Sequence, residues 1–265
     1  MPWNVKKLIV SSADTKTNNH VNNTTLNFYS LYLHITSRYN AKVTLLIDFE
    51  STHTLAFRYS ADEVWVESSG VSKLLETSDY EKTVVEQCVK LFRNPRVSLK
   101  TLGVQIDRSD DEEEEYHRYK TCLLEQLEAS LVSLNRPISV EEFSMGFEGS
   151  QEDVLRILPH LEPTTLKRIR MKNLLDHLWP GSFAVSNIDM SQMAETEQWK
   201  RAKSLMFLHR TNFSVENVSH FYSTVMVLHD LTLETVEQIY QSSQDVQVAK
   251  HPSNSNILVR VKLYK

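Results

Sequence analysis

From residue 97 to the end of the chain, strand-like and helix-like stretches alternate, and this alternation constrains the fold more than any other feature of the sequence. Strand-like stretches end near Ile106, Phe147, Met171, Leu208 and Leu228. Helical spacing of apolar residues follows each of them, over 114–134, 150–161, 192–204, 214–223 and 232–243. A last strand closes the chain, with Ile257, Val259, Val261 and Leu263 on one face and Arg260, Lys262 and Tyr264 on the other. Strand and helix units recurring every ~20–40 residues suit a parallel sheet, because a parallel crossover needs a dozen or more residues.

Three of the helices share a finer pattern. Ser150-x-Glu152-x-Val154-x-x-Ile157-Leu158 aligns with Ser214-x-Glu216-x-Val218-x-x-Phe221-Tyr222, and both align with Thr232-x-Glu234-x-Val236-x-x-Ile239-Tyr240. Ser or Thr at the N-cap accepts a backbone N–H bond, and Glu in the first turn complements the helix dipole. The apolar residues then form one buried stripe. A doubly wound sheet and a solenoid of the leucine-rich-repeat type both fit these units. Uneven repeat length counts against a strict solenoid. Alternating strands count against a doubly wound sheet, whose central strands read as continuous apolar runs. The expected fold is α/β, an irregular, leucine-rich-repeat-like curved parallel sheet with outer helices.

Upstream the pattern differs. Val43, Leu45, Ile47 and Phe49 alternate at period two, and Leu55, Phe57 and Tyr59 do so after a short loop, which predicts a hairpin. Val64 and Val66 suggest a further short strand, and Val84, Val85, Cys88, Val89 and Phe92 form one face of a helix over 80–93. The acidic run Ser109–Glu115 reads as a solvated loop entering a helix, where carboxylates suit the dipole.

The residues offer little for catalysis. Five glycines, Gly70, Gly103, Gly146, Gly149 and Gly181, build no phosphate cradle, and no nucleophile elbow occurs. His209, His220 and His229 are the nearest approach to a metal cluster, but spacings of 11 and 9 follow neither helix nor turn. Cys88 and Cys122 fall in apolar helical pattern and read as reduced core residues. No enzyme activity, cofactor or metal is therefore expected. A net charge of −5 and the lack of basic runs with interleaved aromatics argue against a nucleic-acid surface. No run approaches membrane length, so a cytoplasmic or nuclear protein is expected.

The most distinctive local sequence is Gln198-Trp199-Lys200-Arg201-Ala202-Lys203. Trp199 is either a core indole, with small Ala202 letting the helix approach the sheet, or an exposed anchor among Lys200, Arg201 and Lys203; the core reading is expected. Together with Ile157-Leu158-Pro159-x-Leu161-x-Pro163-x-x-Leu166-x-x-Ile169 and Val218-x-His220-Phe221, it resembles the FTH domain of nematode F-box proteins, over roughly residues 95–245.

Beside that resemblance, Met1-Pro2-Trp3-Asn4-Val5-Lys6-Lys7-Leu8-Ile9, with Leu26-x-Phe28 downstream, looks like a degenerate F-box over 1–38. Met1 stands where Leu is usual, and a polar stretch, Asn18–Thr24, replaces the usual apolar and Arg-rich helix. The implied organisation is a small helical module at 1–38, a hairpin and helix at 39–94, and an FTH-like α/β domain at 95–265. The implied role is substrate recruitment in a Skp1–cullin–F-box ubiquitin ligase, with Pro2, Val5, Leu8 and Ile9 docking a Skp1-type adaptor. A protein-binding scaffold outside any ligase is the alternative. Outward residues of the strands, Arg260, Lys262 and Tyr264 among them, are candidates for contacting an unidentified target protein.

Overall fold

The computed structural model describes residues 26–37, 40–46, 52–60, 63–68, 71–75, 79–107, 113–146, 150–172, 188–211, 214–228, 237, 241, 245–250 and 257–262. The chain divides into two compact α/β units, Met1–Val140 and Glu141–Lys265.

The first unit contains strands β1 (Leu26–Ser37), β2 (Asn40–Leu46), β3 (Thr52–Ser60), β4 (Glu63–Ser68), β5 (Val71–Leu75) and β6 (Val97–Ile106). They lie in the order β6-β1-β2-β3-β4-β5. The first five form an antiparallel meander, and β6 joins β1 in parallel. The expected hairpin is the β2–β3 pair, and Val64 and Val66 lie buried in β4 as anticipated. Ile47 and Phe49 lie outside the described residues.

Residues 26–37 of the segment expected to be a small helical module over 1–38 form strand β1, and residues 1–25 lie outside the described residues. Leu31, Leu33 and Ile35 alternate with the more exposed Tyr32 and His34 and face Leu102, Val104 and Ile106 of β6 in register. Period-two burial and a partner on each side hold this segment extended. Phe28, which entered the F-box resemblance, is a buried strand residue. β6 pairs with β1 over a long register, which places it in the first unit.

Helix α1 (Tyr80–Lys90) is capped by the Asp79 carboxylate, which accepts from the Lys82 N–H at 3.0 Å. It buries Val84, Val85, Cys88 and Val89, and a 3-10 turn (Leu91–Arg93) adds Phe92. Helix α2 (Glu113–Val132) starts on Glu113, Glu114 and Glu115, the dipole-matched entry read from the acidic run. It buries Tyr116, Tyr119, Leu123, Leu124, Leu127 and Leu131.

The second unit contains β7 (Ser139–Gly146) from Glu141 onward, β8 (Arg168–Lys172), β9 (Ser204–Thr211), β10 (Ser223–Leu228), β11 (Asp245–Lys250) and β12 (Ile257–Lys262). Strands β7 to β10 are parallel neighbours in chain order, as the crossover argument required. The parallel run then ends. β12 pairs antiparallel with β10, and β11 pairs antiparallel with β12. The reason is length: residues 251–256 are too few for a crossover, so two consecutive strands can only turn back as a hairpin. The closing strand is therefore flanked on both sides, and β11 was not anticipated.

The helices of this unit are α3 (Gln151–Leu155), α4 (Ser191–Glu195), α5 (Glu197–Arg201) and α6 (Val215–Val218), with a 3-10 turn at Leu158–His160. They are shorter than the apolar spacing predicted. Pro159 lacks the N–H that would continue an α-helix through 150–161. Thr196, in an extended conformation, splits 192–204 into α4 and α5. Of 232–243, only residues 237 and 241 are described. Among the described residues, no helix is long and apolar enough to cross a membrane.

Candidate partner-binding surface

Each parallel strand of the second unit is entered the same way. The Lys167 N–H donates to the Glu141 carbonyl at 2.8 Å, the Lys203 N–H to the Lys167 carbonyl at 2.8 Å, and the Tyr222 N–H to the Lys203 carbonyl at 2.8 Å. Immediately before these three donors stand buried Leu166, Ala202 and Phe221. This backbone ladder fixes one register, so residues at equal steps along each strand fall in common rows.

Two rows face inward and are fully buried: Phe143, Ile169, Leu205 and Thr224, then Met145, Met171, Phe207 and Met226. Alternation puts the intervening rows on the opposite face. One runs Glu142, Arg168, Ser204, Ser223, and the other Ser144, Arg170, Met206, Val225. All but Glu142 retain partial exposure.

Glu142 is 7% exposed and joins two strands electrostatically. Its carboxylate takes Arg168 Nε at 2.6 Å on one oxygen and Arg170 Nε at 3.2 Å on the other. A carboxylate held this way orients both guanidinium forks at little entropic cost. Two Arg against one Glu leave this patch cationic, and Lys172 extends the same face of β8. By register, Arg260 falls in the row of Arg170 and Val225, and Lys262 in that of Arg168 and Ser223. Among the described residues, the outer face of this sheet combines the basic Arg168, Arg170 and Lys172 with the apolar Met206 and Val225. Arg260 and Lys262 stood out in the sequence, whereas Glu142, Arg168 and Arg170 did not. The available signal was Arg168-x-Arg170, two cations at period two across an apolar Ile169.

The distinctive Gln198–Lys203 segment has a different job. Trp199 is fully buried, which excludes the exposed-anchor reading. Its indole N–H donates to the Asn217 carbonyl at 2.8 Å, and its ring packs edge-on to Phe221 with centroids 5.2 Å apart. The Gln198 side-chain amide donates to the carbonyls of Pro159 at 3.1 Å and Leu161 at 2.7 Å. His220 Nε2 lies 2.8 Å from the Trp199 carbonyl, which only a ring N–H can serve as donor. The Thr196 hydroxyl accepts from the Trp199 N–H at 3.2 Å and donates to the Met193 carbonyl at 2.7 Å. Ala202 is buried, Lys203 is exposed, and Lys200 pairs with Glu195 at the surface. These residues stitch three successive turns, at 159–161, 196–202 and 217–221, and so set the register that aligns the outer rows.

Pro2, Val5, Leu8, Ile9 and Tyr264 lie outside the described residues. Cys88 is buried and its thiol is pushed up to about 12 by desolvation. Cys122 corrects its reading as a core residue: it is half-buried, on the wall of a cavity in the first unit. Among the described residues, no three His, Cys, Asp or Glu side chains are grouped to hold a metal. Neither the curated proteins nor the solved structures contain a match to the chain. The resemblance drawn above over residues 95–245 has a counterpart in the family comparison, where residues 121–251 match the FTH domain.

Proposed function

We propose that this chain is a protein-binding, substrate-recruiting subunit of a Skp1–cullin–F-box type ubiquitin ligase, acting in the cytoplasm or nucleus. The FTH match over residues 121–251 carries the reading, since that domain is F-box-associated. The outer rows around Glu142, Arg168 and Arg170 supply a surface suited to the task. Its fixed forks and partly exposed Met206 and Val225 give charge selection beside apolar contact, the mixture from which protein interfaces are built. The arrangement is leucine-rich-repeat-like, with strands presenting one face to the target and helices on the other. Such a subunit performs no chemistry; it raises the effective concentration of a target near the ubiquitin-loaded enzyme.

A second reading is a binding scaffold outside any ligase. It is favoured by the strand at 26–37, which removes those residues from a helical adaptor-docking module. Co-purification with a Skp1-type protein separates the two. The ligase reading expects a complex that is lost when Leu8 and Ile9 are both replaced by Asp, which places unpaired charge in an apolar contact. No complex, or one indifferent to that change, leaves the scaffold. In either case Arg170→Gln, which leaves Glu142 its Arg168 partner, should weaken target capture with only a small loss of melting temperature.

A further inference from the structure

We propose that the cavity lined by β3, α1 and α2 in the first unit receives a methylated ammonium group. The inference does not depend on the role proposed for the outer face of the second unit. The cavity measures about 290 Å³ and is lined by Tyr59, Tyr80, Glu81, Glu115, Arg118, Tyr119 and Cys122. That is the small end of ligand pockets, suited to one side chain or head group.

Three tyrosines dominate the wall. The Tyr59 and Tyr80 rings are 5.9 Å apart at their centroids and inclined by 43°, so they form a corner rather than a stack. Tyr119 is anchored through its hydroxyl, which donates to the Asp107 carbonyl at 2.8 Å, and through an edge-on contact with Tyr116. Tyr80 and Tyr119 are both buried, so the rings stand fixed before any ligand arrives. The buried Tyr80 hydroxyl has no hydrogen-bond partner, and burial with Glu81 nearby holds that phenol far above its ordinary range.

Charge selects the ligand class. Glu81 and Glu115 carry two negative charges, and Arg118 returns one, reaching Glu115 at 3.4 Å with its side chain largely in solvent. The field reaches the wall: the Cys122 thiol is raised by burial first, then by Glu81, with Asp79 and Glu125 adding to it. An anion is therefore repelled. A bare ammonium would lose strong hydration among aromatic rings, whereas an alkylated one is weakly hydrated and gains cation–π attraction from each ring face. The donor is either a methylated lysine of a partner protein or a free quaternary amine.

Both sources are tested on the full chain. Titration calorimetry compares a peptide carrying trimethyllysine with the same peptide carrying lysine, and with tetramethylammonium chloride. In parallel, iodoacetamide alkylation of Cys122 is followed by mass spectrometry, with fully buried Cys88 as the silent reference. At least tenfold preference for the trimethylated peptide, with slowed Cys122 alkylation, assigns the site to methyllysine. Equal protection by tetramethylammonium with no gain from the peptide assigns it to a free amine. Tyr80→Leu should abolish the preference. Glu81→Gln, which removes one first-turn carboxylate of α1 and with it only a small dipole contribution, should weaken it severalfold with melting close to that of the parent. No binding of either probe, no preference over lysine, or unchanged alkylation overturns the proposal.

Discussion

Replacing Trp199 by Ala tests the stitching of the second unit. Fully buried aromatic residues cost about 3–5 kcal/mol on truncation to Ala, through lost transfer energy and the cavity left behind. Two parts of that sum can be separated here. The indole N–H bond to the Asn217 carbonyl is worth about 1 kcal/mol. The edge-on contact with Phe221 adds about 0.5–1.5 kcal/mol beyond area burial. Trp199→Phe keeps an aromatic body beside Phe221 and loses only the donor and part of the volume. It should cost well under half as much as Trp199→Ala. With a urea slope of about 1–3 kcal/mol per molar, the Ala variant should unfold at a midpoint roughly 2 M lower. Unfolding followed by circular dichroism reads the midpoint. Because the chain has two units, amide exchange at Lys203 and Tyr222, whose N–H groups enter the strand ladder, reports whether the loss is local to the second unit. A parent-like midpoint and unchanged exchange for Trp199→Ala would sink the reasoning. So would a Phe variant as damaged as the Ala one.

Two further substitutions test the packing of each sheet. Thr224 stands in an inward row otherwise made of Phe143, Ile169 and Leu205, and its buried hydroxyl has no partner. Thr224→Val should raise stability by about 1 kcal/mol and the unfolding midpoint with it, and a drop would mean the hydroxyl is satisfied. In the first unit, a Cβ at Gly103 would collide with the Tyr32 ring that lies across it from the neighbouring strand. Gly103→Ala should therefore destabilise, against the usual gain of about 0.5–1 kcal/mol for Ala over Gly in a strand, and Tyr32→Ala should restore that gain. A stabilising Gly103→Ala with Tyr32 intact would refute the contact.

Local chemistry made much of this molecule legible from its residues. The parallel order of β7 to β10 follows from crossover length, and the helix over 80–93 from the spacing of Val84, Val85, Cys88, Val89 and Phe92. The burial of Trp199 followed from its place on an apolar stripe beside Ala202. What alternation and spacing could not carry was partnership between distant segments. Leu26–Ser37 is a strand because β2 and β6 lie on either side of it, and β6 follows some sixty residues later in the chain. Glu142 becomes the hub of the outer face only because register sets it beside Arg168, across the length of a crossover. The Tyr59, Tyr80 and Tyr119 wall is likewise assembled from a strand and two helices. Periodicity says which side of an element is buried. Register and packing, set by contacts far apart in sequence, decide which charged and aromatic side chains meet.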